Sequence, residues 1–117
     1  MKVYQHIDIN VIDEVFCGNN DLINDLLQIF ARQVPSFAEQ LDNLYLGKDF
    51  VALSKLAHKI KGSASTLGIS ELANTMKKLE NSAMNEDENN NSKELISTFK
   101  TISQQAILEL TEFIKRQ

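Results

Sequence analysis

Residues that interrupt helices or cross-link chains are scarce in this sequence. Its 117 residues include one proline and four glycines, a composition that favours long helices over a sheet with many turns. Cys17 is the single cysteine, so no internal disulfide can form, which agrees with a reducing compartment. No apolar run approaches the length of about 18 residues that suggests a membrane span, and the N-terminus lacks the apolar middle of a signal peptide. We therefore expect a cytoplasmic protein that does not associate with membranes.

Positive charge is also in short supply, and it is unevenly distributed. The formal net charge is −4 at pH 7, which argues against nucleic acid as a partner. The stretch 43–70, in contrast, contains four lysines against Asp49 alone, a local charge of +3. Such a basic stretch suits an anionic ligand or an acidic protein surface.

Apolar residues recur at helical spacing through most of the chain. At 43% hydrophobic residues, the sequence is long enough for one domain, 1–117, with a substantial core. The pattern predicts helices at approximately 10–17, 20–46, 48–67, 69–84 and 92–115. The last four are long, amphipathic and joined by short connections. They predict an all-α fold, an up-and-down antiparallel four-helix bundle with a short extra N-terminal helix across one end.

The second predicted helix carries the longest apolar stripe, and Pro35 lies inside it. Because the stripe continues on both sides of Pro35, one long kinked helix is favoured over two shorter ones. Asn10 is expected to cap the short first helix. The predicted buried stripe of the second helix consists of Leu22, Leu26, Phe30 or Ile29, Val34 or Gln33, Phe37, Leu41, Leu44 and Tyr45.

The stretch 56–67, LAHKIKGSASTL, places a histidine where a packed core does not need one. At about 100° per residue, the apolar residues of this helix gather on one side, and His58 points about 140° away from the centre of that side. Lys61 and Gly62 follow His58 by one turn, and Lys55 precedes it by one turn. His58 is therefore predicted to be displayed to a partner, beside lysines and a residue without a side chain.

From Ala57 to Gly68 the sequence reads AHKIKGSASTLG, and Leu79-Glu80 follows downstream. This run resembles the histidine-containing phosphotransfer (HPt) domain of multistep two-component phosphorelays. It matches the family pattern A-H-x-[IL]-K-G-[SA]-[AS]-x-x-[LF]-G in full, and the helical layout fits over nearly the whole chain.

The resemblance implies that His58 accepts a phosphoryl group on Nε2 from an aspartate of a receiver domain and passes it to another receiver. Imidazole suits this role because its ordinary pKa of about 6.5 leaves a neutral, nucleophilic nitrogen available near neutral pH. Lys61 is the lysine of the family and is placed to meet the phosphoryl oxygens. Mg²⁺ is expected on the partner receiver domain, and this chain is expected to hold neither a metal nor a cofactor. It has no Gly-rich phosphate loop, so we expect no autonomous kinase activity.

Glu80 is a possible orienting partner for His58. Two helices that turn at Gly68 bring these residues to nearly the same height. In some relatives the glutamate of this Leu-Glu pair accepts a hydrogen bond from Nδ1–H of the histidine, which leaves Nε2 free to attack. An exposed helix glutamate without a role is the alternative. Met84 stands where relatives often carry arginine or another polar residue, so no second basic contact from this helix is expected.

The surface around His58 that a partner would contact is expected to be polar and free of bulky side chains. Gly62 costs a helix interior about 1 kcal/mol relative to alanine. Its missing Cβ leaves room beside His58 for the active site of a partner, and a close helix crossing is the alternative explanation. Ser54 and Ser65 are expected to line the same surface, and Lys55 is expected to add positive electrostatic potential there. Some apolar residues at the His58 end of the first two helices are expected to be exposed for docking, whereas Lys59 turns away and is expected to be solvated.

Two other functions fit a helical bundle with this histidine. A pure interaction module would bind a receiver or a histidine kinase without taking phosphate. The dimerisation and phosphoacceptor region of a histidine kinase usually needs two helices and a dimer, whereas we expect a monomer here.

Overall fold

The computed structural model describes residues 4–85 and 91–115. These residues form five helices and contain no strand: α1 (Ile9–Phe16), α2 (Asn20–Leu46), α3 (Phe50–Thr66), α4 (Ser70–Met84) and α5 (Ser92–Lys115). Short turns join the helices from α1 to α4, so that successive long helices run antiparallel. α2 packs against α3 and α5, and α4 packs against the same two helices, which closes a four-helix bundle. The predicted all-α bundle is confirmed.

Apolar residues three and four positions apart bury one side of each long helix. They belong to one continuous core. The polar side of α3 is consequently left facing solvent, and this side carries the predicted site. The buried apolar residues of α3 and α4 are Leu53, Ala57, Ile60, Ala64, Leu72, Met76, Leu79 and Ala83.

The first half of α2 is rotated relative to the sequence prediction. Ile23 and Leu27 are buried there, whereas Leu22 is 44% exposed and Ile29 is 46% exposed. Two apolar lines lie side by side in this half of the helix, and only packing against the neighbouring helices decides which one is buried. α2 continues through Pro35 as a single helix. Within the described residues, no helix combines the length and the low polarity that a membrane crossing requires.

Side-chain caps mark where α1 and α3 begin. Asp8, rather than the predicted Asn10, caps α1, because its carboxylate accepts hydrogen bonds from the backbone N–H groups of Asn10 and Val11 at 3.0 and 3.3 Å. Asp49 caps α3 by accepting from the backbone N–H of Ala52 at 3.2 Å. These caps start α1 one residue earlier, and α3 two residues later, than the apolar pattern predicts.

The N-terminal segment packs against the turn between α3 and α4. Gly68 has a φ of +71°, and a Cβ at this position would lie 2.7 Å from Cγ1 of Ile12. Its carbonyl accepts a hydrogen bond from the backbone N–H of Asp8 at 2.7 Å. On the other side of the segment, the ring of Tyr4 packs edge-on against Phe113. The N-terminal segment and α1 therefore lie across the end of the bundle that contains the α3–α4 turn.

Candidate functional site

His58 lies midway along α3, on the side opposite the buried residues of that helix. Its side chain is 66% exposed, whereas the neighbouring Ala57 and Ile60 are fully buried. Helical geometry alone accounts for this contrast, because a step of one residue turns the side chain by about 100°. The imidazole is thus presented to solvent by a rigid element of the bundle.

Glu80 of α4 joins the two basic side chains of the site. Nδ1 of His58 lies 3.1 Å from Oε2 and 3.3 Å from Oε1 of Glu80. Nζ of Lys61 donates to Oε1 of the same carboxylate at 3.3 Å. The side chains of Glu80 and Lys61 are 26% and 29% exposed, so this pair is partly shielded from solvent. The structure therefore brings together the three residues that the sequence and the resemblance single out for chemistry.

The pKa of Glu80 lies below its ordinary value of 4.5. Burial by itself would raise this pKa, but the hydrogen bonds from His58 and Lys61 and the positive charge of Lys61 together outweigh burial. Glu80 is consequently a carboxylate at neutral pH, and a carboxylate only accepts hydrogen bonds. The proton between Glu80 and His58 therefore belongs to Nδ1. In the neutral ring, Nε2 then carries the lone pair.

Ser54 does not line the surface around His58 as predicted. It is 7% exposed, and its hydroxyl donates a hydrogen bond to the backbone oxygen of Glu80 at 3.0 Å. The side chain is turned from the solvent side of α3 towards α4, where it ties the two helices together at the residue that faces His58. Ser54 thus supports the position of Glu80 from behind and offers no surface to a partner.

Gly62 and Ser65 are exposed beyond His58 on α3. A Cβ built on Gly62 meets nothing within 4 Å. Among the described residues, no neighbouring helix crosses close enough to require a glycine here, which removes the packing explanation. The cost of a glycine within this helix is therefore unexplained by contacts inside the fold.

The other basic residues of α3 point in different directions. Lys55 is exposed, as is Met84 at the end of α4. Lys59 is exposed to solvent as expected, and its ammonium also lies 5.8 Å from the centre of the Phe37 ring on α2. This contact draws the charge of Lys59 away from His58. Lys61 is the lysine of α3 that contacts the His58–Glu80 pair.

An apolar groove lies between α2 and α3 on the side away from α4. Its volume is about 210 Å³. Leu22 and Ile29, whose side chains are exposed, both belong to α2, one of the two helices that form this groove. Exposed apolar residues are expected at the His58 end of the first two helices; the groove lies along the second of these helices, and His58 is not among the residues that line it. The groove is lined by Leu26, Ile29, Phe30, Gln33, Ser63, Thr66 and Leu67.

A metal centre is not apparent in the part of the chain that the structure describes. In residues 4–85 and 91–115, no three side chains of histidine, cysteine, aspartate or glutamate are grouped so that they could hold a metal ion. The chemistry that the described site offers is that of an exposed imidazole with a carboxylate at one nitrogen and an ammonium close by.

Comparison with known proteins places this geometry in a family. Residues 25–114 match the model of the Hpt domain. The chain is also similar to the phosphorelay intermediate protein YPD1 of Candida albicans, with 28% identity over 78 residues. That match covers 64% of this chain and 42% of the relative, so the chain matches less than half the length of that protein. No solved structure matches the chain significantly. Because the family match extends over most of the sequence and includes α3 and α4 entirely, the chain belongs to the Hpt domain family.

Proposed function

We propose that this chain is a phosphorelay intermediate. In this function His58 accepts a phosphoryl group from an aspartate of one receiver domain and passes it to an aspartate of another. The observation that carries the proposal is the orientation of His58, whose Nδ1–H is held by Glu80 on an exposed helix face, so that Nε2 is the nucleophile. Membership of the Hpt domain family and the name of the fungal relative support the same chemistry.

The transfer step follows from this orientation. The lone pair on Nε2 of His58 forms the N–P bond, and the P–O bond to the aspartate of the receiver breaks, so that the aspartate leaves as a carboxylate. The imidazole keeps its proton on Nδ1 and gains positive charge as the N–P bond forms. The carboxylate of Glu80, 3.1 Å from Nδ1, stabilises that charge. The reverse step delivers the phosphoryl group to the second receiver.

Lys61 supplies positive charge for the phosphoryl oxygens. Its ammonium lies one helical turn after His58 and is held near the ring by Glu80. An ammonium forms strong, charge-assisted hydrogen bonds with phosphoryl oxygens. The receiver domain supplies Mg²⁺, and this chain contributes no metal, no cofactor and no autonomous kinase activity.

The surface around His58 serves as the docking face for the receiver. Gly62 leaves room for the partner's active site, because a Cβ there would project into open space on the exposed side of α3. Ser65 keeps the approach polar, and Lys55 adds positive charge towards an acidic active site. The apolar groove between α2 and α3 adds the desolvated part of the contact. A small contact of this kind suits a partner that binds briefly and leaves.

We further propose that the chain acts as a monomer in the cytoplasm and does not bind nucleic acid. A relay between receivers needs one accessible His58 for each encounter. The net charge of −4 opposes binding to nucleic acid. Sedimentation equilibrium of the purified chain measures its molar mass, which we expect to be that of a monomer. A stable dimer would contradict this part of the proposal.

The test is transfer from a receiver domain that carries a labelled aspartyl phosphate. We expect the chain to take up label that is labile to acid and stable to base, as a phosphoramidate is. His58→Gln should take up none. A wild-type chain that stays unlabelled beside several phosphorylated receivers contradicts the proposal.

Lys61→Ala separates relay from a pure interaction module. In a relay, this variant binds the receiver and transfers more slowly, because the charge opposite the phosphoryl oxygens is missing. An interaction module binds the receiver whether or not Lys61 is present, and neither form becomes labelled. Binding is measured by calorimetry with the unphosphorylated receiver, so that it is independent of transfer.

A further inference from the structure

We propose that Glu80 and the phosphoryl group on His58 compete for Lys61, so that Lys61 changes its partner each time His58 is charged or discharged. The inference rests on the proposed function. It concerns the site before transfer, in which the ammonium of Lys61 is already paired with Glu80 and is not yet available to a phosphoryl group.

The geometry of the site before transfer defines the competition. One carboxylate, that of Glu80, holds Nδ1 of His58 at 3.1 Å and Nζ of Lys61 at 3.3 Å. The phosphoryl group forms on Nε2, the nitrogen on the other side of the ring. The external bonds of Nδ1 and Nε2 diverge from the ring, so the phosphoryl oxygens and Glu80 lie in different directions from the imidazole. We infer that Lys61 leaves Glu80 when it moves to the phosphoryl oxygens.

The charges remain balanced when Lys61 moves. Before transfer, Lys61 neutralises Glu80, and the form of His58 that attacks is the neutral ring, because only that form has a lone pair on Nε2. After the N–P bond forms, the ring carries positive charge beside Nδ1–H, so the ring replaces Lys61 as the counterion of Glu80. Lys61 is then free to meet the new phosphoryl charge. The carboxylate keeps a positive neighbour in both states.

Glu80 consequently reduces what Lys61 contributes to the phosphorylated state. The stabilisation that Lys61 gives to the phosphoryl group is offset in part by the contact that it leaves. One helical turn after Glu80, α4 presents the exposed and uncharged Met84, which offers no cation in compensation. The site is thus tuned to hold the phosphoryl group less firmly than Lys61 alone would allow, which suits a protein that must also give the group away.

A double-mutant cycle on the transfer equilibrium tests this competition. The ratio of phosphorylated chain to phosphorylated receiver is measured at equilibrium for the wild type, Lys61→Met, Glu80→Gln and the double variant. The glutamine of Glu80→Gln still offers an oxygen to Nδ1–H but carries no charge, so Lys61 has no carboxylate to leave. We expect Lys61→Met to lower the ratio about two- to fivefold more in the Glu80→Gln background, the range expected for losing a partly exposed ion pair.

The cycle isolates the competition from the other effects of Glu80. The influence of Glu80 on the charge of the ring is present with and without Lys61, and it cancels in the comparison. Lys59→Met is the matched control, because it removes the same charge from the same helix while its ammonium lies over Phe37. We expect Lys59→Met to have the same effect in both backgrounds.

The outcomes separate this inference from the proposed function. An equal or smaller effect of Lys61→Met in the Glu80→Gln background means that Lys61 serves both anions at once, and this overturns the competition while the relay stands. Loss of all labelling by Lys61→Met in both backgrounds overturns it as well, since a competed lysine tunes the equilibrium and is not required for transfer. A wild-type chain that takes no label overturns the proposed function itself. Circular dichroism of each variant establishes that the helices are retained.

Discussion

The two histidines of this chain lie in opposite kinds of surroundings. The side chain of His6 is 10% exposed, and both of its ring nitrogens face oxygens: Nδ1 lies 2.5 Å from Glu71 and Nε2 lies 2.5 Å from Gln105. The side chain of His58 is 66% exposed, and Glu80 holds its Nδ1. His6 is thus occupied at both nitrogens, whereas His58 is fixed at one nitrogen and presents the other to solvent.

This difference teaches that the surroundings of the second nitrogen distinguish a histidine held on both sides from one that can still bind a further group. Each ring has a glutamate at Nδ1, so the presence of a carboxylate partner is no guide. His6 uses its second nitrogen to connect the N-terminal segment to α5 through Gln105. In the proposed function, the second nitrogen of His58 takes the phosphoryl group of a partner.

Exchange of each histidine for glutamine gives the largest contrast. His58→Gln should lose phosphoryl uptake completely, because the amide of glutamine is no nucleophile for phosphorus. His6→Gln should be labelled at a rate close to that of the wild type, since His6 lies at the end of the bundle and forms no part of the site. The measurement is the initial rate of labelling from one phosphorylated receiver. Equal loss in both variants would mean that the two regions are coupled, and the contrast would fail.

Gly68, in the His6 region, should tolerate alanine poorly. Its φ of +71° costs a residue with a Cβ about 1–2 kcal/mol, and that Cβ would lie 2.7 Å from Ile12 and 3.1 Å from the backbone oxygen of Asp8. We expect Gly68→Ala to lower the free energy of unfolding by at least this amount, as measured with urea. An unchanged midpoint of urea unfolding would show that the N-terminal segment shifts to accommodate the Cβ without loss of stability.

Gly62, beside His58, should behave in the opposite way. A Cβ here meets nothing within 4 Å, and alanine in a helix interior is favoured over glycine by about 0.5–1 kcal/mol. Gly62→Ala should therefore stabilise the fold by up to this amount and at the same time slow transfer from the receiver. Unchanged or faster transfer would contradict the docking role of this position, and a loss of stability like that of Gly68→Ala would contradict the open space around its Cβ.

Much of the His58 region could be predicted from the sequence, because its contacts are local or follow from one tight turn. The exposed face of α3 follows from a spacing of 3.6 residues. The meeting of His58 with Glu80 follows from the antiparallel register about Gly68, and the hydrogen bond of 3.1 Å between them agrees with it. The all-α bundle follows from amphipathic segments that are each long enough to span it.

The rest depends on rotations and on contacts that spacing does not encode. A turn of a few tens of degrees decides whether Ser54 faces solvent or α4, and the same is true of Leu22 against Ile23 in α2. Lys59 has a flexible side chain, and the position of the Phe37 ring directs it. His6 contacts residues that lie 65 and 99 positions further along the chain, and no local sequence pattern predicts such contacts.

The smallest expected effect concerns acid pH and the partners of Glu80. Because its pKa is lowered in the folded protein, Glu80 contributes stability that is present above its ordinary pKa of 4.5 and is lost as the pH falls through the lower, folded value. Glu80→Gln lacks this contribution at every pH. The free energy of unfolding of the wild type should therefore exceed that of the variant by about 0.2–1 kcal/mol at pH 5, and this margin should shrink as the pH falls further. Urea unfolding across this range, in which carboxyl groups rather than imidazoles titrate, measures the difference. Glu39→Gln, which neutralises an exposed carboxyl on α2, is the matched control. A margin that stays constant throughout the acid unfolding range would mean that neither His58 nor Lys61 stabilises the carboxylate of Glu80. Nδ1 of His58 would then be held no better than that of a fully solvated ring.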